Sequence, residues 1–537
     1  VDGQAGPEYT TLRGNNVDVV LDRDANENRD NPGPDGGSDL QFLAEFFPDG
    51  DLRQNEDASM TNLFYMCNIM HDFTVFYGFD EAWNFQETNY NDNSSADGDY
   101  VVALAQHGAD DNSGNFRNNA SFGTPPDGGN GVMRMFIWDR AAANLPLVNI
   151  VAPSDGIAGF AASQAQFGGS LDDGPVEADV ILVDDGSSSP SLGCNEAVND
   201  LTDKIAMIDR GVCEFGTKIL NAENRGAVAA IICNYQDGLV TMAGGRDGNQ
   251  VTIPGVFLSK SDCDIIKLSL ENGLRIRLEV PDEGGPENLI GDFENGIIAH
   301  EYGHGISNRF TGGPSAAGCL GNTEQMGEGW SDFATLIIGT DASNNAAERR
   351  GIGTYVTRED NDGQGIRTYP YSTDRNVNPH TYDNIITETV PHGVGSVWNV
   401  MCWDLYWAMV EEHGFDEDLF NGTGGNNMAI RLVFEGMKLQ KCEPGFVDGR
   451  DAILAADEAL YDGAHQCLIW RVFAERGLGF NADQGSEFSR TDGLENFDMP
   501  PFCSNTISIE KQADKVIIEA GETVEISLTL TNYTGSA

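Results

Sequence analysis

The chain has 537 residues, 40% of them hydrophobic, and sets 31 Lys and Arg against 85 Asp and Glu for a formal net charge of -54 at pH 7. That length exceeds what one hydrophobic core usually serves, so two or three domains are expected. Acidity spread along the whole chain repels polyanions and names neither nucleic acid nor an anionic membrane as a partner, while solubility in high salt and plain hydration of a secreted protein explain it equally well.

The first residue is Val1, and there is no basic-then-apolar leader and no run of about 18 apolar residues, a pattern that predicts a processed, soluble chain. Residues 15–40 are dense in Asp, Asn, Gly and Pro and read as a surface loop. Their oxygens are the hard ligands that Ca²⁺ takes, although the spacing is not that of an EF-hand, so a solvated loop and a structural calcium site both stand. Residues 61–79 carry apolar side chains at three-to-four spacing, which predicts a buried helix with Thr61 as its N-cap; His71 on it reads as a core or rim histidine. From 99 to 138, short apolar runs between Gly, Asn and Pro predict strands and turns.

Between 144 and 285 the texture changes. IAMID, VAAIICN and VTIPGVFLS are short β-branched runs, and KILNAENRGA between the first two has helical composition, so this stretch reads as an α/β module of its own. Segments around 294–309, 325–340, 394–413, 426–440 and 448–462 have helical periodicity, which makes 286–503 mainly helical. Residues 504–537 alternate apolar side chains through Val524, Ile526, Leu528 and Leu530, like the opening strands of a β-sandwich. Ten cysteines, with no C-x-x-C pair, suit an oxidising compartment; pairs within 194–263 and within 402–503 are expected because each would staple neighbouring segments.

The chemistry concentrates in NGIIAHEYGHGISNRF. His300 and His304 are four apart, hence one turn apart on one helix face, where two neutral imidazoles reach one Zn²⁺. Glu301, too far round the helix to ligate, is the candidate general base that takes a proton from the attacking water. In GEGWSD, 24 residues after His304, Glu328 supplies an oxygen as third ligand, and Asp332, one turn later, bonds the outer nitrogen of a ligating histidine. Two His and one Glu form the open donor set of a hydrolytic zinc site. His392, in PHGVGSVW before another helical run, is a candidate donor to the developing oxyanion, with Asp383 as its orienting carboxylate.

With these residues in place the chain resembles the fungalysin family of the thermolysin-like zinc peptidases. The likeness extends through NLFYMCNIMHDFTVFYGF (62–79), NGIIAHEYGHGISNRFTGGP (295–314), MGEGWSDF (326–333), GIRTYPYS (365–372), HGVGSVW (392–398), FEGMKLQKCEPGFVDGRDAILAAD (434–457) and IWRVFAERGLG (469–479). It implies that His300, His304 and Glu328 are the zinc ligands and Glu301 the catalytic glutamate. It further implies secretion, an N-terminal propeptide in the precursor, and an endopeptidase that acts on proteins or peptides before apolar residues. In thermolysin-like enzymes an Asn-Ala pair on an edge strand holds the substrate backbone; NNASF resembles it and nominates Asn119 and Ala120, whereas no tyrosine matches the one that assists the oxyanion histidine. Residues 205–234 and 251–259 resemble a protease-associated domain inserted between the peptidase halves, a lid or docking module beside the cleft.

The expected architecture is therefore α+β: a β-rich N-terminal part (1–143), an inserted α/β protease-associated domain (144–285), a mainly α part with the zinc site (286–503) and a short β segment (504–537), in a monomer. A binding or adhesion protein with a degenerate zinc site is disfavoured because all three ligands and the glutamate are present. An exopeptidase is disfavoured because two-metal aminopeptidases use scattered ligands rather than one H-E-x-x-H helix.

Overall fold

A computed structural model of the chain describes residues 8–48, 50–80, 82–90, 97–111, 115–139, 146–152, 159–171, 174–236, 238–240, 242–270, 273–280, 288–503, 507–513 and 526–532. The fold is α+β, and the chain divides into two compact units, Val1–Asp139 with Glu287–Ala537, and Arg140–Pro286. The expected junctions at 143/144 and 285/286, and Val524 of the terminal alternation, lie outside the described residues.

The first unit opens with β1 (Val17–Leu21), α1 (Glu56–Val75), β2 (Val101–Ala105), β3 (Ala120–Gly123), β4 (Val132–Met135) and β5 (Ile137–Asp139). The sheet order is β1-β2-β4-β3; β1, β2 and β4 are parallel, and β3 pairs antiparallel with β4 at the edge. All five residues of β1 are buried, as in a strand covered on both faces. Helix α1 buries Met60, Leu63, Cys67, Met70 and Phe73 at the anticipated spacing. It begins at Glu56 rather than beyond Thr61, whose hydroxyl donates to the Asp57 carbonyl inside the helix. Glu56 and Asp57 in the first turn favour that earlier start through the helix dipole. His71 sits at the rim, its Nδ1 3.0 Å from Asp72 Oδ1.

The second unit contains β6 (Pro146–Ala152), β7 (Phe160–Ala161), β8 (Ser163–Gln164), β9 (Val176–Leu182), β10 (Lys204–Asp209), α2 (Phe215–Glu223), β11 (Ala229–Cys233), β12 (Gly255–Leu258), α3 (Lys260–Ser269) and β13 (Arg275–Leu278). Strands β9, β10, β11 and β12 are parallel neighbours at the centre of an eight-stranded sheet, with antiparallel strands on both flanks. The apolar runs noted above are these strands: β11 and β12 are buried along their whole length, as parallel strands covered on both faces must be. Disulfides Cys194–Cys213 and Cys233–Cys263 fall within the expected 194–263 group.

The first unit resumes with β14 (Asn288–Ile290), α4 (Asn295–Phe310), α5 (Gly327–Ile338), α6 (His392–His413), α7 (Gly425–Leu439), α8 (Phe446–Tyr461) and α9 (Gln466–Glu475), then the antiparallel pair β15 (Ile507–Ala513) and β16 (Ile526–Asn532). Strand β14 pairs antiparallel with β5, Asn288 opposite Asp139, so the two ends of the first unit that flank the second lie side by side. Helix α6 is apolar nearly all round and buries Trp398, Trp403 and Tyr406 at the heart of the helical half. No described helix is long and apolar enough to cross a membrane.

Glycines let three of these helices touch backbone to backbone. A Cβ on Gly303 of α4 would lie 2.8 Å from Ser331 Cα of α5, and one on Gly395 of α6 would lie 2.4 Å from Glu328 Cβ of α5. Both are closer than carbon atoms approach, so only Gly permits these crossings. Disulfide Cys319–Cys442 ties the connection between α4 and α5 to that between α7 and α8, and Cys467–Cys503 closes the end of the helical half. The first corrects the expectation for 402–503: Cys442 pairs across 123 residues, and Cys402 is a free thiol in the buried face of α6.

Asp292, in the turn leading into α4, is fully buried; its Oδ2 accepts the Gln106 N–H at 3.2 Å while its Oδ1 has no hydrogen-bond partner among the described residues. Burial pushes this carboxyl up to about 7. The folded value lies above the unfolded one, so the native state binds the extra proton between about pH 4 and 7, and stability falls as pH rises through that window. Asp292→Asn is therefore expected to gain on the order of 2–4 kcal/mol at pH 8 and nothing at pH 4, measured by urea unfolding at both pH values.

Candidate metal centre

Helix α4 presents His300 and His304 on one face, with ring centroids 4.8 Å apart, and the tight α4–α5 crossing brings Glu328 against them. His300 Nε2 is 3.1 Å from Glu328 Oε2, and His304 Nε2 is 3.7 Å from Glu328 Oε1. One donor atom from each of the three residues lies within 4.8 Å of the others. Donors about 2.0–2.2 Å from a tetrahedral ion stand roughly 3.3 Å apart, so this spacing fits a zinc ion.

The ring of His300 is aimed by what lies behind it. Its Nδ1 is 2.8 Å from Asp332 Oδ1, which leaves Nε2 toward Glu328. Asp332, fully buried, also accepts from Arg367 Nη2 at 2.7 Å on Oδ1, from Arg367 Nε at 2.8 Å on Oδ2, and from the Tyr371 hydroxyl at 2.6 Å on Oδ2. Burial alone would raise the Asp332 carboxyl; the Arg367 guanidinium and His300 overrule it and hold it far below the usual range. Burial likewise opposes charge on His300, but its bonds to Asp332 and Glu328 push it up to about 10. Two carboxylates thus make the point faced by His300 Nε2 attractive to a cation. Burial, helped by His300, pushes His304 down to about 4.

Glu301 is buried beside these donors, its Oε2 without a hydrogen-bond partner among the described residues, and burial pushes it up to about 7, the range of a general base. His392 is the first residue of α6; its side chain is 51% exposed, with Nε2 3.6 Å from Glu328 Oε2. A cavity of about 340 Å³ is lined by His300, Glu301, His304, Glu328 and His392 together with Asn119 and Ala120 at the start of the edge strand β3. Ile297, Ile352 and Ile366 form apolar wall.

Asp383 is not brought to this group. It is exposed on the short turn Tyr382–Ile386, where Tyr382 and Ile385 are the buried residues, and its N–H reaches Glu495 Oε2 at 3.4 Å. The sequence pattern gives Arg367 and Tyr371 no role of their own. They arrive from an irregular segment with no helical or strand period, and their place in GIRTYPYS was the sole cue. In the acidic loop, the carboxylates of Asp22, Asp24 and Asp30 lie within 4.8 Å of one another. Asp22 accepts the N–H groups of Asn26 and Glu27 and faces His107 Nδ1 at 2.6 Å, and Asp30 accepts the Arg23 N–H at 2.7 Å.

The family model described as fungalysin metallopeptidase (M36) matches residues 1–482. Extracellular metalloproteinase 2 of Trichophyton tonsurans is 28% identical over 510 residues, 93% of this chain and 56% of that protein. Extracellular metalloproteinase MEP of Fusarium vanettenii is 29% identical over 509 residues, 93% of this chain and 55% of that protein. The chain thus spans about half the length of the curated relatives it matches. A solved aminopeptidase from Aneurinibacillus sp. strain AM-1 is 21% identical, covering 29% of this chain and 35% of that one, with a TM-score of 0.20, too low for a structural argument.

Proposed function

The chain belongs to the fungalysin metallopeptidase family (M36), and from that premise we propose that it is a secreted endopeptidase whose zinc is held by His300, His304 and Glu328. The observation that carries this reading is the convergence of three donors from two helices beside the unpaired Glu301 oxygen in one cavity. An ion held by these three residues would supply a Lewis acid able to polarise the scissile carbonyl and to lower the pKa of a water. Glu301 takes the proton of the attacking water and hands it to the leaving amine. His392 donates an N–H to the oxyanion, and Asp332 keeps Nε2 of His300 directed inward. The outer edge of β3, unpaired among the described residues, receives the substrate backbone as an added strand at Ala120 and at Asn119 just before it, and the isoleucine wall takes an apolar residue after the cut bond. Extracellular action agrees with the names of the relatives and with four disulfides. Dialysis against a chelator is expected to abolish peptide cleavage and one equivalent of zinc to restore it, while His304→Ala retains less than about a tenth of the metal. Full cleavage by metal-free protein would refute the reading.

The second unit we read as a protease-associated domain that guides large substrates. Because Asn288 stands opposite Asp139, residues 140–287 can be replaced by a two-residue turn such as Asn-Gly. The deletion is expected to change cleavage of a folded protein at least about threefold more than cleavage of a short peptide. Equal effects on both substrates would reduce the unit to a spacer.

A further inference from the structure

His392 begins a helix, and no carboxylate of the described residues pairs with it other than Glu328 across the cavity. The expected orienting residue, Asp383, is exposed on the Tyr382–Ile386 turn and makes no pair with His392 among the described residues. The aim of its half-exposed ring therefore depends on the backbone of the loop that delivers it, residues 385–391. What secures that loop is Glu388.

The Glu388 side chain, 14% exposed, crosses between three segments. Its Oε1 is 3.2 Å from Nε2 of the buried His380, and its Oε2 accepts the hydroxyl of Thr368 at 2.9 Å. Thr368 follows Arg367, whose guanidinium grips Asp332 behind the zinc-ligand helix. A Cβ on Gly393, the residue after His392, would lie 2.5 Å from Glu388 Oε2, so the carboxylate is packed beneath the first turn of α6, where the helix dipole favours a negative charge. From outside, Arg490 Nη1 donates to the carbonyls of Ile385, at 2.8 Å, and of Glu388.

We propose that Glu388 is a positioning residue for His392: through Thr368 it fixes the loop that carries the oxyanion donor against the segment that carries Arg367, and so sets the aim of the His392 ring. The proposal rests on the role given to His392 above. Burial would raise the Glu388 carboxyl, but His380 and Thr368 hold it below the ordinary value, so it keeps the charge that these bonds and the helix terminus require.

A double-mutant cycle on a fluorogenic peptide tests this, with zinc content and melting temperature measured for every variant. His392→Ala is expected to lower kcat by about 100-fold. Glu388→Ala is expected to lower kcat by about 10-fold with KM within about twofold of the parent and one zinc retained. Thr368→Val, at an exposed residue, is expected to cost about threefold and keeps the comparison available if Glu388→Ala unfolds. Added to His392→Ala, either change is expected to have no further effect on kcat, because there is then no ring left to aim. The same loss on both backgrounds, or no loss on the parent, overturns the positioning role while leaving that of His392 intact. An unchanged kcat in His392→Ala overturns the His392 assignment itself and the proposal with it.

Discussion

Replacing Glu301 by Gln lowers kcat by about 10³-fold or more while zinc content and melting temperature stay at the parent values. Glutamine keeps the shape of the side chain but cannot accept a proton, and the Glu301 Oε2 that faces the cavity makes no hydrogen bond whose loss would disturb the fold. Burial, which would penalise the charge, is relieved by the exchange, so any change in stability is expected to be a gain. General-base catalysis accounts for about 10²–10⁴ of rate, and the whole of it is removed here because no other carboxylate of the cavity is free: Glu328 faces both histidines. The checks are steady-state kinetics on a fluorogenic peptide and metal analysis of the purified variant. Activity within about tenfold of the parent would remove Glu301 from the mechanism.

The second large effect is expected at Asp332, and it divides into two parts. Asp332→Ala strips Arg367 of both its hydrogen bonds to Asp332, frees the Tyr371 hydroxyl and leaves the buried guanidinium only the more distant Glu328, at 3.7 Å, as counter-charge, which costs about 3–5 kcal/mol of stability. It also releases His300 Nδ1, so the ring no longer has a preferred tautomer, and zinc affinity is expected to fall by about 10–100-fold. Asp332→Asn separates the two parts, because it keeps the volume and part of the bonding. A titration against a competing chelator reads affinity, and urea unfolding of the metal-free protein reads stability. An unchanged zinc affinity in folded Asp332→Asn would show that the carboxylate serves the fold alone.

How much of this could be read from the chain depended on whether a contact is local. His300, Glu301 and His304 are spaced by one helical turn, so their relation follows from the helix period alone. Glu328 and Asp332 are likewise one turn apart on a second helix, and what brings the two helices together is a glycine contact at Gly303 that carries no period. Arg367 and Tyr371 reach Asp332 from an irregular segment more than 30 residues away, and nothing in their local pattern announces that convergence. Asp383 is near His392 along the chain, yet it is exposed on a short turn and its N–H is directed to Glu495. Thr61 looked like a cap because Thr often is one, yet two acidic residues ahead of it had already begun the helix. The pairing of Cys319 with Cys442 depends on how four helices pack, which spacing between cysteines does not record.

The most direct test of the account is to remove metal from the purified protein, restore zinc alone, and map the bonds cut in a mixed library of blocked peptides. Cuts at internal bonds, concentrated before apolar residues and absent from both the metal-free protein and Glu301→Gln, are the predicted result. Release of single terminal residues from unblocked peptides, with blocked ones left whole, would contradict it.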